Sequence, residues 1–167
     1  MEKDNRQNES LYQKLRINKL FLTVPSEHLQ TVISLFTGTV YTRGDYIYRE
    51  GDIDKTLCLI SHGKVAITKS TKSRGDFELY VLEENDFFGE LEVLDGLPRT
   101  TNARSLMETE ILKLDYDSFQ TLLEEHHIVA LNILRQLSTR LRTTNDMIVD
   151  LVNRLMKQDA KEFKQKR

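Results

Sequence analysis

A single cysteine, Cys58, is all that this chain of 167 residues carries, which excludes an intrachain disulfide and fits a reducing compartment. Net charge is nearly absent as well. The 24 Lys and Arg against 26 Asp and Glu leave −2, without the basic footprint that non-specific nucleic-acid binding needs. No apolar run is long enough to span a bilayer, and the polar start MEKDNRQNES lacks the hydrophobic stretch of a secretory signal. The sequon Asn8-Glu9-Ser10 is then a chance match. These absences lead to the expectation of a cytoplasmic protein off the membrane. The four histidines, His28, His62, His126 and His127, show no ligand spacing with Cys58, and His126-His127 read as solvated residues between helices. No nucleophile–base constellation appears, so neither an enzyme nor a metal or resident cofactor is expected.

Glycine is missing from both ends. All seven glycines lie between Gly38 and Gly96. Because glycine punctuates turns and weakens helices, this distribution predicts a turn-rich β module between helical flanks, an α+β arrangement. Residues 1–10 read as a flexible terminus. Leu11, Leu15 and Leu22 mark a short amphipathic helix, and Ser26 is the expected N-cap of a second helix bearing Leu29, Val32, Ile33 and Phe36. Short strands are expected around Val40, over Tyr46–Tyr48 and Leu57–Ile60, at Val65 and Ile67, and at Phe77, Leu79 and Val81. Two more follow at Ala103–Leu106 and Ile111–Leu114. Arg74-Gly75-Asp76 reads as a hairpin turn rather than an adhesion motif. Such regular spacing of short strands suggests a sandwich or barrel. Asp117, with Gln120 three residues on, is the expected cap of the next helix.

The final helix shows a seam. Leu134, Leu137, Leu141, Thr144, Ile148, Leu151 and Leu155 follow one another at alternating steps of three and four. A heptad stripe of this length predicts pairing with a second helix, most simply in a parallel homodimer through residues 128–156. Thr144, followed by Asn145, is the polar member of the seam, and such a residue either fixes register, is tolerated as a defect, or contacts something. Beyond Leu155 the chain turns polar and basic, and residues 157–167, KQDAKEFKQKR, read as a frayed tail.

Between these parts lies Asp86–Arg104, DFFGELEVLDGLPRTTNAR. Gly89-Glu90 puts a carboxylate after a glycine turn, and Arg99-Thr100-Thr101 puts a guanidinium beside two hydroxyls. Arginine offers a planar, permanently charged fork to phosphate oxygens, and glycine lets backbone amides approach them. Glu90 cannot favour a phosphate, so its expected role is to accept a hydrogen bond from a ligand hydroxyl. Together these residues suit a small anion that also carries a hydroxyl, such as a sugar phosphate. The alternative is a surface loop in which Arg99 and Glu90 form an internal ion pair.

With RGDYIYREGD, LCLISHGKVAI and DFFGELEVLDGLPRTTNAR on the page, the chain resembles cyclic nucleotide-binding domains over residues 11–150. The long final helix makes it most similar to the bacterial catabolite activator group. The resemblance implies an antiparallel, jelly-roll-like β-roll with N-terminal helices over 11–127 and a dimerisation helix over 128–156. It implies that Arg99 pairs with the cyclic phosphate, that Thr100 donates to it, and that Glu90 accepts from the ribose 2′-OH. Backbone amides of Gly89 and Leu91, beside Phe88 and ahead of a short helix, would complete the cradle. Thr144 and Asn145 would read the base, with Arg140, Leu141 and Leu79 nearby. Thr101 departs from the small alanine or serine usual at its position.

The implied function is a cyclic nucleotide receptor, cAMP favoured by the activator-like helix and cGMP the alternative, since a threonine after the phosphate arginine also occurs in cGMP readers. Ligand is expected to reorder the cassette, shift the hinge at the dimer helix, and so act on a downstream protein partner. Transcription factors of the group continue into a helix-turn-helix, whereas this sequence ends at Arg167, so no nucleic-acid binding is expected through this chain alone. Two other readings stay open: a truncated or degenerate transcription regulator, and a structural dimerisation module with a dead pocket.

Overall fold

The computed structural model describes the backbone of residues 2–71 and 75–165, and the side chains of residues 9, 11–71 and 75–157. Two helices come first, α1 (Glu2–Ile17) and α2 (Ser26–Ile33). Six strands follow: β1 (Thr37–Tyr41), β2 (Tyr46–Tyr48), β3 (Leu57–His62), β4 (Lys64–Thr71), β5 (Gly75–Glu83) and β6 (Phe87–Phe88). A short helix α3 (Glu90–Asp95) then precedes β7 (Asn102–Ser105), β8 (Thr109–Leu114), α4 (Tyr116–Glu125) and the long α5 (His127–Gln165). The strands build two antiparallel sheets, ordered β1-β8-β3-β6 and β2-β7-β4-β5. This is the expected α+β β-roll with N-terminal helices and a long C-terminal helix. The chain divides into two units between Ala130 and Leu131.

The core lies between the sheets. Ile47, Tyr48, Cys58, Ile60, Val65, Ile67, Leu82, Phe88, Ala103 and Ile111 form one buried cluster. β3 reads as a continuous apolar run because both its faces are covered. Cys58 and Ile60 point into the cluster, while Leu57 and Leu59, on the opposite face, are buried too. That second face is the one α1 crosses, because Lys14 reaches Ser61 at 2.6 Å and Glu110 at 2.8 Å. Gly63 makes the β3–β4 turn tight. Its φ is +99°, and a Cβ there would lie 2.5 Å from the Thr109 hydroxyl and 2.7 Å from the Glu108 carbonyl oxygen.

Several local expectations shift. The first helix starts at Glu2, within the segment read as flexible, and leaves helical geometry at Asn18 rather than Leu22. There the Asn18 side chain accepts from the Leu20 N–H and donates to the Asn85 carbonyl, an alternative to continuing the helix. Ser26 is the first helical residue of α2, with Pro25 at the N-cap position and no side-chain capping bond. In α4 the cap is Asp115, whose carboxylate accepts from the Ser118 N–H at 2.8 Å; Asp117 sits in the first turn. The two-residue period expected along Phe77, Leu79 and Val81 fails. Pairing of β5 with β4 slips between Ile67 and Thr68, leaving Leu79 opposite no residue, and only Leu82 of β5 is buried. Arg74, of the expected hairpin turn, lies outside the described residues, as do Lys166 and Arg167. The backbone of the expected frayed tail is helical through Gln165. His126, read as solvated, packs against His28 with ring centroids 4.9 Å apart and the planes tilted by 56°.

Candidate functional site

The stretch that joins β6 to β7 folds around Arg99. Its backbone is fixed by two bonds to the turn before β3, with Arg99 N–H donating to the Asp52 carbonyl (2.9 Å) and Gly51 N–H donating to the Arg99 carbonyl (2.8 Å). The side chain is completely buried. Its Nη1 donates to the Gly89 carbonyl (3.2 Å) and to Glu92 Oε2 (3.1 Å). Its Nη2 donates to Asp54 Oδ2 (3.1 Å), the Thr56 carbonyl (2.8 Å) and the Thr56 hydroxyl (3.1 Å). The guanidinium carbon lies 4.1 Å from the centre of the Tyr48 ring, a cation–π contact. Burial opposes the charged form of Arg99, but the surrounding groups, Asp54 among them, hold its pKa above the ordinary value.

Gly89 admits this arrangement. It takes the left-handed conformation (φ +78°) at the start of α3, and a Cβ there would lie 2.6 Å from Arg99 Nη1 and 2.8 Å from the Thr56 carbonyl oxygen. Expected to open the backbone to a phosphate, this glycine makes room for the arginine itself. Glu92, in the first turn of α3, is the other pole. Its Oε1 accepts from the Thr100 N–H (2.9 Å) and the Thr100 hydroxyl (3.0 Å), while Oε2 accepts from Arg99 Nη1. Its side chain is only 4% exposed.

The remaining site residues of unit one are spread around this centre. Phe88 is buried, its ring centroid 5.8 Å from that of Tyr48, and Glu90 is buried in the first turn of α3. Thr101 hydrogen-bonds the Tyr48 phenol, whose pKa burial pushes far up. Thr100 and Leu91 are exposed. Leu79 occupies the β5 bulge. Burial likewise pushes the Cys58 thiol up, to about 11, so it is neutral beside the site. Arg140, Leu141, Thr144 and Asn145 belong to the second unit. There the Thr144 hydroxyl donates to the Arg140 carbonyl of its own helix at 2.9 Å, and Leu134, Leu141, Ile148, Leu151 and Leu155 are exposed on the single chain.

An internal ion pair does exist at Arg99, and it joins the guanidinium to Glu92 and Asp54. Glu92 went unread although it stands two residues after Glu90. Residues two apart on a helix face different ways, so Glu90 and Glu92 meet different surroundings. Asp54, Thr56 and Tyr48 come from distant strands and loops and left no local signal. Among the described residues, no group of three His, Cys, Asp or Glu side chains is placed to hold a metal.

A buried arginine beside a threonine hydroxyl and amide, behind a left-handed glycine on a β-roll, defines a class, and the chain belongs to it: the cyclic nucleotide-binding domain family, whose model matches residues 39–126. The CRP-like cAMP-activated global transcriptional regulator of Mycobacterium tuberculosis is 30% identical over 112 residues, covering 67% of this chain and 50% of that protein. The cyclic AMP receptor protein of Thermus thermophilus is 29% identical over 134 residues, covering 80% of this chain and 62% of that one. The crystal structure of Thermus thermophilus catabolite activator protein matches with a TM-score of 0.74 at 29% identity, over 81% of this chain and 63% of that chain. The chain therefore spans half to just under two thirds of these relatives.

Proposed function

We propose that this chain is a receptor domain for a cyclic nucleotide, cAMP before cGMP, acting as a regulator rather than an enzyme. One observation carries the reading: the Arg99 guanidinium, the Thr100 hydroxyl and the Thr100 N–H converge on a single anionic seat. A cyclic phosphate presents the oxygens such a seat holds, and charge-assisted bonds from arginine are the strong ones. The names of the Mycobacterium and Thermus relatives favour cAMP. On this reading Glu90 accepts from the ribose hydroxyl, and Phe88, Gly89, Leu91 and Thr101 shape the cassette. Thr144 and Asn145, with Arg140, Leu141 and Leu79 nearby, contact the base. The exposed heptad face of α5 supports a homodimer, and ligand-driven change at that helix passes the signal to a protein partner. A cytoplasmic setting suits the buried, unpaired Cys58. No helix among the described residues is long and apolar enough to cross a membrane.

Isothermal titration of the purified chain with cAMP and with cGMP tests this. Saturable binding, tighter for cAMP, is expected. Preference for cGMP would reassign the ligand, and heat from neither would end the proposal.

A further inference from the structure

The anionic seat of the cassette is not open: a carboxylate of the same chain sits in it. Glu92 takes one bond from Arg99 and two from Thr100, the three donors that the proposed function assigns to a phosphate. No further approach to the guanidinium is available. The Arg99 side chain is fully buried, and both its terminal nitrogens are committed to Glu92, Asp54, Gly89 and Thr56, with Tyr48 beneath the plane. Its Nε is the one nitrogen with no partner, and it too is buried. Charge points the same way. Two carboxylates already face one guanidinium, so an arriving phosphate would be a third anion around a single cation.

We propose that Glu92 is an internal ligand of the cassette, an autoinhibitory carboxylate that a cyclic nucleotide must expel before its phosphate can bind. This rests on the reading that the cassette takes a cyclic nucleotide. Glu92 is suited to leave. It stands on α3, a helix of six residues between the left-handed Gly89 and Gly96, so the carboxylate can withdraw without disturbing a sheet. Phosphate offers Arg99 and Thr100 the same acceptor oxygens in exchange, and the expelled carboxylate regains water. The free chain is then held in a closed state, and its apparent affinity is the intrinsic one multiplied by the fraction of molecules with the seat vacated. Glu92 thereby sets the nucleotide concentration at which the domain responds.

Titration of cAMP into the wild-type chain, Glu92→Ala and Glu92→Gln, with circular dichroism confirming that each is folded, decides the matter. Glutamine keeps an acceptor for Thr100 but removes the charge, so it tests the competition should alanine unfold the cassette. Both variants are expected to bind cAMP at least about tenfold more tightly than wild type, as for removal of a state that occupies nine molecules in ten or more. Equal affinity in all three would overturn the internal ligand and leave the nucleotide receptor standing. Weaker binding by the variants would overturn it too, by making Glu92 a support for Arg99 rather than its competitor. Absence of binding to all three would remove the receptor reading itself and this inference with it.

Discussion

Two cations, Lys14 and Arg99, each meet a carboxylate brought from far along the chain, Glu110 and Asp54, and their clusters are built in opposite ways. Lys14 of α1 reaches Glu110 of β8 at 2.8 Å and Ser61 of β3 at 2.6 Å, with Ser61 also donating to Glu110 at 2.6 Å. About a third of each charged side chain stays exposed, 33% for Lys14 and 38% for Glu110. Arg99 has no exposed side-chain surface, two carboxylates, two carbonyls and an aromatic face. The half-exposed cluster ties a helix to a sheet, and water can replace either partner at little cost. The buried one cannot be half satisfied, because a lone charge left inside is expensive. A cluster of the second kind holds its parts in one geometry until another anion of the right shape replaces Glu92. That contrast separates the part of the roll that holds it together from the part suited to respond.

Breaking the buried cluster should have the largest effect. Arg99→Leu strands Glu92 without its cation, and urea denaturation should show a loss of about 3–5 kcal/mol. Wild-type stability in that variant would mean that Glu92 is not confined as described. Gly89→Ala comes next. It forces a side chain into left-handed backbone and into the space of Arg99 Nη1 and the Thr56 carbonyl, for about 1–3 kcal/mol. The same replacement at Gly44, also left-handed but with nothing within 4 Å, should cost less, and equal losses would remove the role given to the Arg99 contact.

The exposed cluster should give the smallest change, with a distinctive pH dependence. Lys14 and then Ser61 hold the Glu110 pKa below its ordinary 4.5. A carboxylate with a depressed folded pKa stabilises above its unfolded pKa, and that contribution fades as pH falls through the folded value. Glu110→Gln should therefore lower the melting temperature slightly at neutral pH, and the gap from wild type should close well below pH 4.5. A gap independent of pH would show that the pair contributes through shape rather than charge.

Much of this was legible in the residues. The glycines of the middle announced a turn-rich β module, and Arg99 and Thr100, expected to act together, both donate to one carboxylate. What stayed hidden had physical causes. The alternation of β5 was broken by a bulge that no local residue demanded, since Leu79 continues the apolar positions Phe77 and Val81. Arg99 was legible as a planar, charged fork, whereas its partners Asp54 and Thr56 arrive from the loop before β3 and only the fold brings them near. Glu92 was within the stretch all along. Its role depends on the turn of α3 that aims it at Thr100 rather than at solvent.

If Thr100 exchanges one anion for another, hydrogen exchange at its amide reads this directly. In the free wild type the Thr100 N–H donates to Glu92 at 2.9 Å and should exchange slowly. In Glu92→Ala it should exchange fast, and saturating cAMP should make it slow again. An amide that exchanges at the same rate in all three states would contradict the account.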